Sequence, residues 1–239
     1  MKLTILGGSG AWPTATQACS GYLVEHDGYR ILIDPGYGTM QVLQEFVAPE
    51  DVDAVVVTHG HPDHCADLNP LLRARVLGER GPAPLAVHAP EGALDAVLTL
   101  DRPGMLADGL TFSGELGPFR LETWLLPHHV PNHGVRLSAG GTVLAYTGDT
   151  GPTPDLVDLA RDADVFLAEA TYPDEVPEED APYLSTARQA GENAARAGVG
   201  RLILTHPWPG LAAERFVTAA AEGYSGTIGI SSPRLIMEL

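Results

Sequence analysis

One seven-residue segment, Thr58-His59-Gly60-His61-Pro62-Asp63-His64, constrains this chain more than any other. Three imidazoles and a carboxylate follow directly on the apolar run Val55-Val56-Val57. A buried strand that delivers such a cluster to its C-terminal end builds one wall of a metal site. His59 and His61 stand two apart, so in extended chain their side chains point the same way. Pro62 then turns the chain and lets Asp63 and His64 face a second point close by. Imidazole with carboxylate, and no cysteine pair nearby, suits Zn²⁺ or a related divalent ion such as Mn²⁺ or Fe²⁺. Cys65 is a further candidate donor, but its place beside His64 points it elsewhere.

Length and charge narrow the possibilities. At 239 residues, with 44% hydrophobic and 19% charged residues, the chain can bury a substantial core. No apolar run approaches the ~20 residues of a membrane span. Met1 to Leu6 runs straight into Gly7-Gly8-Ser9-Gly10, which reads as strand and turn and not as a secretory leader, so a cytoplasmic protein is expected. Two cysteines, Cys19 and Cys65, are too few for a disulfide framework. The 31 acidic residues outnumber 14 basic ones, and Lys2 is the sole lysine. A net charge of −17 with no basic cluster repels a polyanion and favours a small substrate over nucleic acid.

Along the chain, short apolar runs alternate with Gly, Pro and Asp. Strands are expected over 3–6, 21–25, 30–33, 52–57, 85–88, 110–113, 119–126, 135–138, 143–146, 165–168 and 202–204, with two more at the C-terminus. Asp27-Gly28 and Gly140-Gly141 read as hairpin turns. Helices are expected over 40–46, 66–77, 91–100, 156–161, from a Thr186 cap to Ala197, and over 212–222. The acidic, proline-bounded stretch 173–182 reads as a loop. Strands precede helices in both halves, a pattern met by mixed sheets packed face to face with helices outside. With no linker and no low-complexity tail, residues 1–239 are expected to form a single domain.

A metal cluster at one strand end needs further donors, and three segments supply them. They are Pro127-His128-His129-Val130-Pro131-Asn132-His133-Gly134, Tyr146-Thr147-Gly148-Asp149-Thr150-Gly151 and Leu204-Thr205-His206-Pro207. Each follows an apolar run, so the polar groups of all four segments can converge on one edge of the sheets. His128, His129 and His133 all lie near the right place for a third ligand. His26 and His88 stand at other strand ends without partners in sequence and read as structural or exposed. Gly7-Gly8-Ser9-Gly10 lacks the Lys-Ser/Thr ending of a phosphate loop and reads as a tight turn beneath the site.

In that order, His59-x-His61-x-Asp63-His64, His128, Asp149 and His206 resemble the metallo-β-lactamase fold superfamily. Gly7-Gly8-Ser9-Gly10, Ile33-Asp34-Pro35-Gly36 and Gly148-Asp149-Thr150-Gly151 extend the likeness over nearly the whole chain. The resemblance implies an α/β (α+β) fold, an αββα sandwich of two mixed sheets flanked by helices, with two divalent metals at one edge. It implies that His59, His61 and His128 hold one metal, that Asp63, His64 and His206 hold the other, and that Asp149 bridges. The choice of His128 follows relatives of ribonuclease Z type, whose ligand precedes a glycine by six positions, here Gly134. Asp63 would additionally orient the nucleophile, a hydroxide made available at neutral pH by the cations.

The C-terminal third, with Ala168-Glu169-Ala170-Thr171-Tyr172, Ser185-Thr186-Ala187-Arg188-Gln189 and Leu202-Ile203-Leu204-Thr205-His206, resembles the branch of ribonuclease Z, small phosphodiesterases and actinobacterial cyclic-nucleotide phosphodiesterases. There an acid, matched by Glu169, orients a histidine that protonates the leaving group. This chain has Tyr183-Leu184 where that histidine is expected. Either Tyr183, His129 or His133 takes over, or the leaving group needs no proton; Glu169 reads equally well as a buried acid behind the metals. Ribonuclease Z proper carries a long arm for tRNA, which this sequence lacks. The expected activity is hydrolysis of a small phosphodiester, with a cyclic nucleotide as one candidate. The alternatives are a lactone, thioester or β-lactam hydrolase, ribonuclease Z-like processing, and a metal-binding protein without catalysis. Similar proteins are often dimers, and an exposed aromatic near Trp208 suggests a homodimer contact.

Overall fold

The computed structural model describes residues 1–81, 84–107 and 109–239. The strands are β1 Lys2–Gly7, β2 Gly21–His26, β3 Tyr29–Ile33, β4 Ala54–Val56, β5 Leu85–His88, β6 Leu110–Phe112, β7 Arg120–Leu126, β8 Asn132–Ala139, β9 Thr142–Tyr146, β10 Val165–Glu169, β11 Arg201–Thr205, β12 Thr227–Ile230 and β13 Ile236–Glu238. The helices are α1 Thr39–Leu43, α2 Pro62–Cys65, α3 Leu68–Leu77, α4 Asp95–Leu98, α5 Asp155–Ala160, α6 Ala187–Ala197 and α7 Ala213–Ala221. One sheet runs β13-β1-β2-β3-β4-β5-β6 and the other β12-β11-β10-β9-β8-β7.

The two sheets are built alike. Antiparallel hairpins (β1-β2-β3 in one, β7-β8-β9 in the other) lead into parallel strands (β3 to β6, β9 to β12). At the first hairpin Asp27 and Gly28 both take positive φ, 48° and 82°, which suits the tight turn that matches strand twist.

The period of two along each strand sorts the apolar residues into layers. Leu3, Ile5, Ile31, Ile33 and Val56 of one sheet meet Val135, Leu137, Leu144, Val165 and Leu167 of the other in a central core. Alternate residues Leu6, Leu32, Val55 and Val57 face outward and pack with Leu43, Leu68, Leu71 and Val97 of the helical layer. On the other side Phe166, Ala168, Leu202 and Leu204 pack under Leu159, Ala190, Ala194, Phe216 and Ala220. The result is an αββα sandwich. The small alanine side chains of α6 let that helix lie close on its sheet.

The expected elements are present, with shifted ends. Pro62 begins α2 as its first residue, with His61 in extended conformation before it. Proline there loses no intrahelical hydrogen bond, so a helix replaces the expected turn. The helix expected over 91–100 shrinks to α4, and β8 starts three residues early at Asn132, because its pairing with β7 continues to Leu126. Among the described residues no helix is long and apolar enough to cross a membrane.

Candidate metal centre

Parallel strands deliver their C-terminal ends to one edge of the sandwich, and every candidate ligand follows such an end or the end of β7. Ile33 pairs with Val56, and just beyond it Asp34 accepts Thr58 N–H, three residues before His61 caps α2. Asp149 follows β9, His206 follows β11, and His128 follows β7.

Two groups of donors form there. His59, His61, His128 and Asp149 make one, and Asp63, His64, Asp149 and His206 the other; within each group the ligand atoms lie within 4.8 Å of one another. His61 Nδ1 stands 3.1 Å from both His59 Nε2 and His128 Nε2. Asp149 Oδ2 is 3.7 Å from His59 Nε2 and 3.8 Å from His128 Nε2. In the second group His206 Nε2 is 3.2 Å from Asp63 Oδ2 and 3.3 Å from Asp149 Oδ2, and His64 Nε2 is 3.2 Å from Asp149 Oδ1. Donors about 2.0–2.1 Å from one ion in a tetrahedron stand roughly 3.3 Å apart, so these spacings fit a shared cation.

The outer hydrogen bonds set which ring nitrogen faces inward. His128 Nδ1 donates to the Tyr183 carbonyl oxygen at 3.0 Å, leaving Nε2 with its lone pair toward the cluster. His64 Nδ1 donates to Asp34 Oδ2 at 2.7 Å. His59 Nδ1 faces Thr58 Oγ1 at 3.1 Å, and that hydroxyl donates to Asp34 Oδ2 at 2.7 Å. His206 Nδ1 faces Thr171 Oγ1 at 3.0 Å, and the Thr171 hydroxyl donates to Glu169. Such outer partners fix tautomer and ring orientation in metal sites. They leave the inner atoms bare: His64 Nε2 and Asp149 Oδ1 are buried with no hydrogen-bond partner. With His64 Nδ1 given to Asp34, only a second proton on His64 or a cation keeps Nε2 and Asp149 Oδ1 from facing each other as two buried acceptors. The residues present fit divalent metals.

Electrostatics point the same way. Burial opposes ionisation of Asp149, yet His206, His64 and His59 hold its carboxyl well below the usual carboxylate range. Burial pulls the His64 imidazole down, but Asp149, Asp34 and Asp63 raise it well above its ordinary value. The His59 ring goes the other way, held well below by burial and by His64.

His206 has a φ of 62°, a left-handed conformation that a histidine adopts at a cost of roughly 1–3 kcal/mol. Its N–H donates to the Gly8 carbonyl oxygen at 2.8 Å, which fixes the bend. Asp63 Oδ2 accepts the Ala11 N–H at 2.9 Å, so the glycine-rich loop after β1 does lie against the cluster.

Of the three histidines left open for the third position, His128 joins the cluster. His129 is exposed, 3.6 Å from Asp180 and with its ring centroid 4.2 Å from that of Tyr183. His133 lines a cleft of about 310 Å³ with His88, Ser113 and Thr123. His88 is tied to the Gly114 carbonyl oxygen at 2.8 Å. Cys65 turns its thiol to the carbonyl oxygen of His61 at 3.3 Å, away from the donor groups.

Glu169 lies buried behind His206 and accepts from Thr171 N and Ser185 N, at 2.9 and 2.7 Å, besides the Thr171 hydroxyl. Burial pushes its carboxyl up to about 8, against the pull of His206 and those donors. Where a histidine was expected, the Ser185 main chain occupies the acid. Tyr183 enters the site through its carbonyl, and among the described residues its hydroxyl has no hydrogen-bond partner.

Asp34 is the group that sequence reasoning passed over. Fully buried, it accepts from Thr58 N, Thr58 Oγ1, His64 Nδ1 and the Tyr146 hydroxyl, all at 2.7–2.8 Å. The signal was present, since Asp34 ends an apolar strand as the ligands do, but Pro35-Gly36 after it reads as an ordinary turn.

The family model of the metallo-β-lactamase superfamily matches residues 15–206. The chain belongs to that superfamily. It is a hydrolase of that family with a His/Asp metal-binding cluster. The probable metallo-hydrolase YhfI of Bacillus subtilis is 29% identical over 213 residues, 86% of each chain. The crystal structure of YhfI superposes with a TM-score of 0.89 at 25% identity, covering 99% of both chains. A ribonuclease Z of Kineococcus radiotolerans is 32% identical, covering 86% of this chain and 82% of its own. Human short-form tRNase Z shares the fold, with a TM-score of 0.79 at 21% identity over 100% and 99% of the two chains.

Proposed function

We propose that this protein hydrolyses small phosphodiesters, a cyclic nucleotide among the candidates, with two divalent cations, zinc foremost and manganese or iron as alternatives. The observation that carries the reading is the pair of donor groups joined through Asp149. His59, His61 and His128 would hold one cation, Asp63, His64 and His206 the other, with Asp149 shared. Bound divalent cations supply Lewis acidity and bring the ionisation of water near neutral pH, chemistry suited to in-line displacement at phosphorus.

The chain's own groups do the rest. Asp63, which accepts from Ala11 N and lies 3.2 Å from His206 Nε2, would orient the attacking nucleophile. Glu169 acts on His206 through Thr171 as a positioning residue. Tyr183 and His129, ring against ring beside His128, are the groups at this rim able to hand a proton to a leaving group. Similarity to a ribonuclease Z supports phosphodiester chemistry, while the net charge of −17 argues for a small substrate over RNA. The loop 173–182, with five carboxylates, folds back on itself through Asp180 N to the Pro177 carbonyl oxygen at 2.9 Å and forms no basic surface.

A second reading, hydrolysis of a lactone, thioester or other activated ester, is favoured by one observation: among the described residues Glu169 accepts from Thr171 and Ser185 and from no histidine. The test is turnover of bis(p-nitrophenyl) phosphate, whose leaving group needs no acid, by zinc- or manganese-loaded protein beside Asp63→Ala. Turnover that falls at least about 100-fold in the variant is the expected result. A protein holding two metals that cleaves lactones or thioesters but not this diester would replace the first reading by the second.

A further inference from the structure

The loop after β1 does more than support Asp63. Gly10 packs so closely on His206 that an added Cβ would lie 3.0 Å from its ring nitrogen, and the Ala11 N–H holds Asp63. The next residue, Trp12, leaves 46% of its surface exposed. Its main chain is pinned on both sides, with Trp12 N donating to the Gly10 carbonyl oxygen at 2.6 Å and Ser9 Oγ to the Trp12 carbonyl oxygen at 2.9 Å. The indole is braced by other rings: Trp208, two residues after His206, meets it edge to face at 5.1 Å between centroids, and Tyr172 stacks on Trp208 at 5.8 Å and 16°. Trp208 is itself tied to Thr171, the His206 partner, through Trp208 N to the Thr171 carbonyl oxygen at 2.9 Å.

Three loops that touch the metal ligands thus build one aromatic corner, with Trp12 outermost. A large apolar ring braced by a second ring, left half-exposed, and next in sequence to the residue that holds Asp63, has a face ready to stack on a flat partner. We propose that Trp12, backed by Trp208 and Tyr172, is a specificity residue that stacks on a planar aromatic group of the substrate, such as a nucleobase. The proposal rests on the phosphodiesterase reading. It commits to a small ligand, because the loop after Tyr172 carries the exposed carboxylates of Glu175, Glu178 and Glu179, which repel a chain of phosphates.

The test compares adenosine 5′-monophosphate with ribose 5-phosphate, which share sugar and phosphate and differ in the ring. Calorimetry on metal-loaded wild type is expected to show adenosine monophosphate bound about tenfold more tightly, with quenching of tryptophan emission. Trp12→Ala brings the preference below about twofold, and Trp12→Phe restores most of it, with the far-ultraviolet circular dichroism of both variants matching wild type. No preference in wild type, or one that survives Trp12→Ala, overturns the proposal. So does a dimer that Trp12→Ala splits without altering the preference, which would assign the rings to a subunit contact. Turnover of bis(p-nitrophenyl) phosphate by the same preparation is measured alongside. Its absence while the Trp12-dependent preference persists would sink the phosphodiesterase reading and leave the stacking surface standing.

Discussion

Replacing Asp34 by Asn keeps the shape of the side chain and removes its charge and one acceptor. Oδ1 accepts Thr58 N–H, which an amide oxygen can continue to do. The amide nitrogen then stands where Oδ2 received three donors, from His64 Nδ1, Thr58 Oγ1 and the Tyr146 hydroxyl. The two hydroxyls can rotate, but the imidazole has only one remedy: its proton moves from Nδ1 to Nε2. That nitrogen faces Asp149 Oδ1 at 3.2 Å, inside the second donor group, so the change converts a ligand into a donor. Outer-partner losses of this kind lower metal affinity about 10–100-fold. Buried donors left without acceptors cost about 3 kcal/mol together, which for a chain of this length is about 6–12 °C in melting temperature. Competition titration of the metal-free variant against a chromogenic chelator measures the first effect, and calorimetric melting the second. Tyr146→Phe is the control, because it removes one donor and leaves the His64 tautomer alone; its metal affinity should stay within about twofold. Asp34→Asn protein that binds both metals as tightly as wild type would refute the tautomer argument.

Other perturbations test other links. Burial lowers the His64 and His206 imidazoles, but Asp149 and Asp63 raise both above their ordinary value. Their contribution to metal-free stability is therefore complete below about pH 6.5 and fades as pH rises through the elevated folded values. Metal must displace those protons, so added zinc should raise the melting temperature more near pH 8 than near pH 6; an equal shift in scanning fluorimetry would contradict this. Thr171→Val cuts the link from Glu169 to His206 and should weaken the second metal about tenfold by competition titration, without a comparable effect on the first. Thr186 and Gln189 form a reciprocal cap at the start of α6, so Thr186→Ala should cost about 1 kcal/mol in urea unfolding and leave turnover unchanged.

That these candidate donors converge was legible because each stands just after an apolar run, and parallel strands must bring such ends to one edge. The spacing of His59 and His61, two apart in extended chain, also survived intact as a 3.1 Å approach. What the sequence did not show is the layer behind the donors. Asp34 meets Tyr146 across 112 positions and Thr171 meets His206 across 35, separations at which no local pattern reports contact. The choice of His128 over His129 and His133 likewise depends on where the 128–133 turn sets β8, a register fixed by pairing of Leu126 with Asn132. Tyr183 shows the limit in another way: it was singled out as a stand-in for the expected histidine, and the contact of its carbonyl with His128, across 55 positions, was not legible. Element ends moved where proline and pairing outweigh apolar pattern, as at Pro62 and Asn132.

The central claim is that two cation sites share Asp149, and metal stoichiometry tests it most directly. Elemental analysis by mass spectrometry, after loading with zinc and removal of loosely held ion, should find two metals per chain in the wild type. His61→Ala and His206→Ala should each retain one, and Asp149→Ala should lose affinity at both. A wild type that holds a single ion, or a His206→Ala protein that still holds two, would contradict the account.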